Sequence, residues 1–210
     1  MRCCNHHIDN GLEWMICEFG ESFAELSLLL GDASIAEYAL NSFGSEKRRK
    51  EWLATRVVLR KMLGDDASIV YDAAGKPSIV RSDKSISISH SGNYVAVAVH
   101  SSSEVGIDIE LISSSVERVR ARFMSHDEEV AIDKCNEKVA LLLHWSAKEA
   151  FYKIIGNRGG SFLDSFRIAP FTVSPTGSFP ISYIKGQALI RQCLVSYIVD
   201  SDFVFTCCVG

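Results

Sequence analysis

The feature that most constrains the fold is the alternation of side-chain type over residues 105–110, Val-Gly-Ile-Asp-Ile-Glu. From Ile107 onward apolar and acidic side chains strictly alternate, which predicts a strand with one buried face. Asp108 and Glu110 then project from the same side of that strand, one pleat apart.

A second stretch, residues 145–153 (Trp-Ser-Ala-Lys-Glu-Ala-Phe-Tyr-Lys), has helical spacing. Glu149 follows Trp145 by four residues and precedes Lys153 by four, so the three side chains share one helical face. We therefore predict a helix that presents an acid and a lysine together.

If the strand and the helix meet, three carboxylates and a lysine converge. Such a group can hold one divalent cation and a phosphate, because Mg²⁺ prefers oxygen ligands and is commonly held by carboxylates and substrate phosphates. The residues alone also allow a plainer interpretation. Asp108 and Glu110 can lie on the solvated face of an edge strand, and Glu149 and Lys153 can form a surface pair worth about 0.3–0.5 kcal/mol.

Composition excludes several other classes of protein. A net charge of −4 over 210 residues gives no electrostatic case for nucleic-acid binding. No apolar run approaches the ~18 residues of a membrane span, and the N-terminus has no secretory pattern. Seven cysteines without a C-x-x-C motif predict reduced thiols. We therefore expect a cytoplasmic protein that binds neither nucleic acid nor membrane.

Residues 45–63 predict a long helix, capped by Ser45 and ended by Gly64. Its apolar residues recur at helical spacing and should face a core. Seven basic residues lie elsewhere on it, and they form either a solvated face or a cradle for a polyphosphate, since arginine forks suit phosphate oxygens. They are Lys47, Arg48, Arg49, Lys50, Arg56, Arg60 and Lys61.

Two turns in the first half present candidate phosphate-binding residues. Gly75-Lys76-Pro77 is a tight turn that exposes a lysine. Residues 86–89 and 94–99 alternate as strands, so residues 90–93 between them predict a hairpin connection with His90 at its mouth. A histidine in a turn is usually only solvated, and the pattern by itself leaves its role open.

Ser101-Ser102-Ser103-Glu104 is the best candidate linker. We predict an N-terminal subdomain over residues 1–103 and a C-terminal one over residues 104–210, each with helices followed by strands.

Residues 14–19 indicate an edge strand, and residues 3–7 form either a frayed terminus or a small metal site. The loop at residues 157–160 is either a connector or a flap that closes over a substrate.

The combination of V-G-I-D at residues 105–108 with W-S-x-K-E-A-x-x-K at residues 145–153 resembles the paired signature of the 4′-phosphopantetheinyl transferases. The likeness is greatest to the single-chain type that activates carrier proteins, of which the surfactin-synthetase-activating enzyme is representative. Asp108 and Glu149 are separated by 149 − 108 = 41 residues, and both motifs are complete and in the family's order. The resemblance covers roughly residues 45–166.

This resemblance implies an α+β fold of two similar subdomains in a pseudo-twofold arrangement, with the active site in the cleft between them. It implies an enzyme that moves 4′-phosphopantetheine from coenzyme A to a serine of an apo acyl or peptidyl carrier protein, leaving adenosine 3′,5′-bisphosphate. The partners would be that carrier protein and coenzyme A, the cofactor Mg²⁺ or Mn²⁺, and the chain a monomer. The pathway served, whether fatty acid, polyketide or nonribosomal peptide synthesis, stays open.

The resemblance also implies residue roles. The metal ligands would be Asp108, Glu110 and Glu149; the catalytic residues Glu149 and Lys153; and the coenzyme A contacts Arg49, Arg56, Lys76, Ser89 and His90. Lys76 matches the family's G-K-P segment, and Ser89-His90-Ser91 its S-H-S turn. The role of Lys148 stays open between a phosphate contact and a place outside the cleft.

One position departs from the family. We align this chain with the family without gaps, using residues 57–60 to set the register. This alignment puts Trp52 where the family often has a small polar residue near the coenzyme. Either that register is shifted or the contact comes from Arg56. Two other functions fit the same residues: a module that binds coenzyme A without turnover, and a metal-dependent pyrophosphate hydrolase that uses water as the nucleophile.

Overall fold

The computed structural model describes residues 1–156 and 160–210. It confirms the α+β class, and the chain divides into two compact units, Met1–Ser102 and Ser103–Gly210. Within the described part of the chain, no helix has both the length and the apolar character that a membrane crossing requires.

The first unit is a four-stranded antiparallel sheet with helices and a small two-stranded sheet. The large sheet has the order β1-β2-β6-β5, and β3 pairs with β4. Its elements are β1 (Arg2–Asp9), β2 (Leu12–Glu18), α1 (Phe23–Leu30), α2 (Ala33–Ser42), α3 (Glu46–Leu63), β3 (Ile69–Tyr71), β4 (Pro77–Ile79), β5 (Ser85–Ser91) and β6 (Tyr94–His100).

Helix α3 anchors the core of this unit, and its predicted limits are confirmed. The Ser45 side chain accepts a hydrogen bond from the Arg48 N–H, which satisfies one of the free donors of the first turn, and the helix ends at Gly64. Leu53, Val57 and neighbouring residues pack in one cluster with the interior side chains of β2 and β6. This burial orients the remaining faces of α3.

The second unit is a five-stranded antiparallel sheet, of order β7-β11-β10-β9-β8, with one long helix packed on it. Its strands are β7 (Val105–Leu111), β8 (Phe166–Ile168), β9 (Thr176–Lys185), β10 (Ala188–Val199) and β11 (Phe203–Val209). Its α-helices are α4 (His126–Ala131), α5 (Glu137–Ile155) and α6 (Phe162–Ser165), with a 3₁₀ helix at Val116–Arg122 and another at Lys134–Asn136.

The structure corrects the interpretation of the N-terminus. Residues 2–9 are strand β1, which pairs with β2 through a hairpin at Asn10-Gly11, so β2 is interior and β1 is the edge. His6 bonds Glu13 at 3.0 Å, and His7 stacks on Trp14. These two histidines are therefore engaged in cross-strand pairs, and residues 3–7 are neither frayed nor gathered with other described ligands into a metal site.

Two other expectations were wrong in detail. Neither unit places its helices before its strands, because β1 and β2 precede α1 and β7 precedes α4. The resemblance placed Ser89 and His90 in a turn, whereas the alternation placed Ser89 in the strand and only His90 in the turn. Both lie inside β5, which extends to Ser91, so that Gly92-Asn93 alone make the connection to β6. A strand fixes the direction of both side chains more tightly than a turn would.

Candidate active site

Strand β7 presents one face to helix α5, and that face consists of Gly106, Asp108 and Glu110. The helix approaches closely at the glycine: a β-carbon added to Gly106 would overlap the carbonyl oxygen of Ala150. The alternation of the strand then brings Asp108 and Glu110 to the same helix. The glycine of the V-G-I-D motif therefore sets the distance between the acidic strand and α5.

We expect Gly106→Ala to destabilise the protein by roughly 1–3 kcal/mol, because the added methyl group must push α5 away from β7. Turnover should fall by more than the loss of folded protein explains. Thermal melts and kcat measured well below Tm test this, with Gly20→Ala as the control because a β-carbon at Gly20 meets nothing within 4 Å. A variant that melts and turns over as the wild type does would contradict the assignment.

Lys153 joins the helix to the acidic strand. Its Nζ donates to the carbonyl oxygen of Ile107 at 2.7 Å and to Asp108 Oδ1 at 3.1 Å. Asp108 is buried, with 5% of its surface exposed. The ammonium group is thus held beside a buried carboxylate, where it can also meet a phosphate oxygen.

Glu149 lies between these groups on α5. Burial, together with the negative charges of Asp108 and Glu110, raises the pKa of Glu149 to about 7, while Lys153 opposes the shift. A carboxyl group with a pKa near neutrality can accept a proton at physiological pH and release it again. Burial and like charge are the two causes that tune acids at functional sites.

Glu110 is oriented by two hydrogen bonds. The Trp145 indole Nε1 donates to its Oε1 at 3.0 Å, and the Ser114 hydroxyl donates to its Oε2 at 3.3 Å. Trp145 therefore ties the start of the helical motif to the second acid of the strand motif. These two bonds fix the direction of both Glu110 oxygens, each of which keeps a lone pair for a further partner.

The donor set suits a hard divalent cation. Carboxylate oxygens are the ligands Mg²⁺ prefers, and the charge repulsion that raises the pKa of Glu149 is what a bound cation would relieve. Over residues 1–156 and 160–210, however, no three His, Cys, Asp or Glu side chains are already spaced as a metal site. Lys153 is a hydrogen-bond partner of Asp108 Oδ1.

Lys148 lies outside this group. It is fully buried, and its Nζ donates to Glu128 Oε2 at 2.8 Å and to the Phe123 carbonyl oxygen at 2.5 Å. Glu128 also accepts backbone N–H groups from Ser125 and Ile168. Although burial opposes ionisation, Lys148 and these N–H groups hold the pKa of Glu128 below its usual value. Lys148 thus ties α5 to α4 and β8 in a buried ion pair.

In the first unit, His90 contacts helix α3. Its Nε2 lies 2.7 Å from the Oγ1 of Thr55, which is itself buried. Thr55 is a small polar residue three positions after Trp52. This contact concerns His90 and not the coenzyme, so the register that puts Trp52 near the coenzyme stays a prediction. The signal for Thr55 was a lone hydroxyl among residues 53–59, of which all the others except Arg56 are apolar. Ser89, buried, precedes His90 on β5.

Arg56 lies on another face of α3, at an open cavity of about 600 Å³. Its guanidinium stacks over the Trp52 ring, 3.1 Å from the centroid, and Tyr38 stacks on the same ring at 5.3 Å. Burial lowers the pKa of Arg56 to about 10, and Tyr71 opposes the shift, so the guanidinium stays charged at neutral pH. The cavity therefore combines aromatic faces with two arginine side chains, Arg56 and Arg60.

The two remaining residues of this unit that were predicted to contact coenzyme A are Arg49 and Lys76, and they differ in how many bonds they already make within the fold. Arg49 donates to the carbonyl oxygens of Phe43 and Leu40, so it caps the end of α2. Lys76 is exposed in the turn before β4, where its N–H donates to Asp72 at 2.8 Å and shapes the turn. The proposed flap at residues 157–160 lies outside the described residues except for Gly160.

Comparison with known proteins agrees with this geometry. Residues 104–208 match the model of the 4′-phosphopantetheinyl transferase superfamily. The chain is 33% identical over 120 residues to 4′-phosphopantetheinyl transferase AcpT of Salmonella typhi, covering 54% of this chain and 61% of that protein. It is 28% identical over 152 residues to 4′-phosphopantetheinyl transferase HetI of Nostoc sp., covering 64% and 63%.

An α+β fold with an acidic strand facing an acid-and-lysine helix defines a class of protein suited to phosphoryl-group chemistry. The family match spans 105 of the 210 residues and contains both halves of that site. The chain belongs to the 4′-phosphopantetheinyl transferase superfamily. Its alignments span only about six tenths of the length of the first relatives, 61% for AcpT.

Proposed function

We propose that the protein transfers 4′-phosphopantetheine from coenzyme A to a serine hydroxyl of an apo acyl or peptidyl carrier protein. The products are the holo carrier protein and adenosine 3′,5′-bisphosphate. The observation that carries this proposal is Glu149, a carboxyl group with a pKa near 7, set among Asp108, Glu110 and Lys153 in a chain of this family.

The residues of the second unit divide the chemistry between them. Glu149 accepts the proton of the serine hydroxyl, directly or through a water, as the oxygen attacks phosphorus. Lys153, held beside Asp108, stabilises charge on the oxygens of the transferred phosphoryl group. The bond from that phosphorus to the bridging oxygen breaks, and the bisphosphate leaves with the electron pair.

A divalent cation, Mg²⁺ or Mn²⁺, fits the same carboxylates. Asp108 and Glu149 would hold it, with Glu110 as a third ligand once its bonds to Trp145 and Ser114 rearrange. When bound, the cation supplies Lewis-acid stabilisation of the pyrophosphate charge.

We expect Asp108→Ala to lose metal-dependent turnover yet remain folded. Transfer by this variant at the wild-type rate without excess Mg²⁺ would contradict the metal assignment.

Residues of the first unit supply the proposed coenzyme A contacts. His90, oriented by Thr55, and Ser89 lie on β5, Lys76 is exposed in its turn, and Arg56 lines the aromatic cavity. Cationic and hydroxyl donors of these kinds suit the 3′-phosphate and the diphosphate. Arg49 also stays a proposed contact, through the guanidinium N–H groups that do not bond the carbonyl oxygens of Phe43 and Leu40.

Intact-mass measurement of an apo carrier protein, incubated with the protein, coenzyme A and Mg²⁺, tests the proposal. Transfer adds one phosphopantetheinyl group to the carrier serine, and a carrier with that serine changed to alanine is the control. Free 4′-phosphopantetheine in place of the adduct would indicate the pyrophosphate hydrolase. Coenzyme A binding without any product would indicate a module that does not turn the molecule over.

We expect His90→Ala and Lys76→Ala to raise KM for coenzyme A about ten- to a hundredfold with little change in kcat. Truncating a charged contact to phosphate costs roughly 1.5–3 kcal/mol, and a contact that is equal in ground and transition states leaves kcat alone. The measurement compares coenzyme A with dephospho-coenzyme A, which lacks the 3′-phosphate. Variants that discriminate between the two donors as strongly as the wild type does would show that neither residue binds that phosphate.

A further inference from the structure

Helix α5 is joined to the sheet beside Asp108 by a buried pair of hydroxyl groups. Ser146 Oγ lies 2.8 Å from Thr206 Oγ1, and neither residue has any exposed surface. Thr206 is a polar residue in the otherwise apolar strand β11, and no role has been assigned above to either hydroxyl. A buried hydrogen bond between side chains of distant segments fixes their distance more tightly than apolar packing alone.

The pair is placed where it can act on the site. Thr206 is the direct cross-strand partner of Asp108, so both side chains project from the same face of the sheet toward α5. Ser146 precedes Glu149 by three residues, so the two lie on neighbouring positions of one helical turn. One hydrogen bond therefore links the strand position next to Asp108 with the turn that carries Glu149.

Other contacts join α5 to strand β7, among them the bond from Lys153 to Asp108. Trp145 bonds Glu110, and the Gly106 backbone meets Ala150. The Ser146–Thr206 bond lies between them in the sequence of α5 and connects it to β11 instead of β7. Apolar side chains of the same shape would fill this space but would not impose the fixed donor–acceptor distance between α5 and β11 that the hydrogen bond imposes.

We propose that Ser146 and Thr206 are positioning residues that set the separation of Glu149 and Asp108. Neither touches the reacting atoms. This inference rests on the proposed function for its kinetic consequence, but the geometric claim stands apart from it. A shift of the acid by about 1 Å is enough to lower a rate severely, because the acid, the metal and the substrate must align.

A double-mutant cycle separates positioning from stability. Ser146→Ala and Thr206→Val each leave one buried hydroxyl without its partner and should lower Tm, whereas the double variant removes both and should recover most of the loss. If the pair only stabilises the fold, activity recovers with Tm. If it positions Glu149, the double variant keeps its Tm but turns over more slowly, by about fivefold or more.

Two further variants serve as controls. Thr206→Ser retains the hydroxyl and should restore kcat to near the wild-type value. Tyr197→Phe removes another hydroxyl contact of the same sheet, the 3.0 Å bond to Ser174, and should leave kcat unchanged. A rate loss in Tyr197→Phe equal to that of the double variant would show a general effect of the sheet and overturn the proposal.

Two readouts do not depend on transfer activity. Electron paramagnetic resonance titration with Mn²⁺ should show weaker binding by the double variant than by the wild type. Crystal structures of the two should show Glu149 displaced relative to Asp108 by about 0.5 Å or more. If the wild type transfers nothing, the proposed function fails while these structures still decide the inference. An unchanged separation of the two acids, or a double variant with wild-type kcat and Mn²⁺ affinity, overturns it.

Discussion

Glu149→Gln is expected to lower kcat for phosphopantetheine transfer about 10²–10⁴-fold while the protein stays folded. Glutamine keeps the size and one acceptor oxygen of the side chain but can neither take the serine proton nor offer a second carboxylate oxygen to a cation. The change also removes a charge that burial and the neighbouring acids disfavour. We therefore expect Tm at pH 8 to be unchanged or higher, so that activity and stability move in opposite directions.

Glu137→Gln is the matched control, because it makes the same change on the same helix. Glu137 is partly exposed at the start of α5 and pairs with Arg120 and Lys134. Such pairs contribute little to stability, so we expect a Tm close to that of the wild type and wild-type kcat. Transfer by Glu149→Gln within about fivefold of the wild-type rate would rule out Glu149 as the proton acceptor.

Lys148→Met is expected to lower the free energy of unfolding by about 3–5 kcal/mol, because it leaves the Glu128 carboxylate buried without its cation. Glu128 accepts hydrogen bonds from the backbone N–H groups of Ser125 and Ile168, so the substitution should also weaken the packing of α4 and β8. Chemical denaturation at neutral pH measures it. The double variant Lys148→Met, Glu128→Gln removes the unpaired charge and should recover part of the stability.

Lys138→Met tests the same substitution at an exposed position of α5, where we expect a change within about 0.5 kcal/mol. The kinetics address the role of Lys148 directly. Because its ammonium binds Glu128 and Phe123, KM for coenzyme A should stay at the wild-type value well below Tm. A tenfold or greater rise in that KM, equivalent to about 1.4 kcal/mol of binding free energy, would indicate that Lys148 contacts a phosphate of coenzyme A.

Local pattern was enough to predict the elements that carry the chemistry. The alternation around Asp108 predicted β7, and the Ser45 and Gly64 signals predicted both ends of α3. The spacing of Trp145, Glu149 and Lys153 predicted the helical face of α5 that the structure brings to the acidic strand. Periodicity and caps depend on neighbours within a few residues, so one sequence contains them in full.

The strand limits at the N-terminus and in β5 were less predictable, because they depend on which strand each of these segments pairs with. Nothing in residues 2–9 distinguishes an edge strand from a loose end until β2 supplies the hydrogen bonds. His90 reads as a turn residue until the pairing of β5 with β6 extends through Ser91. Strand limits are set by the partner strand, which a local pattern does not contain.

By itself the sequence determined the acidic strand, the two long helices and the family signature, because each is a pattern of residue types at short spacing. Only the tertiary structure decided what the polar side chains bind: Lys148 to Glu128, Thr55 to His90, and Ser146 to Thr206. These partners are 20, 35 and 60 residues apart. A buried polar group must find a partner wherever the packed core places one, and that choice depends on the whole fold.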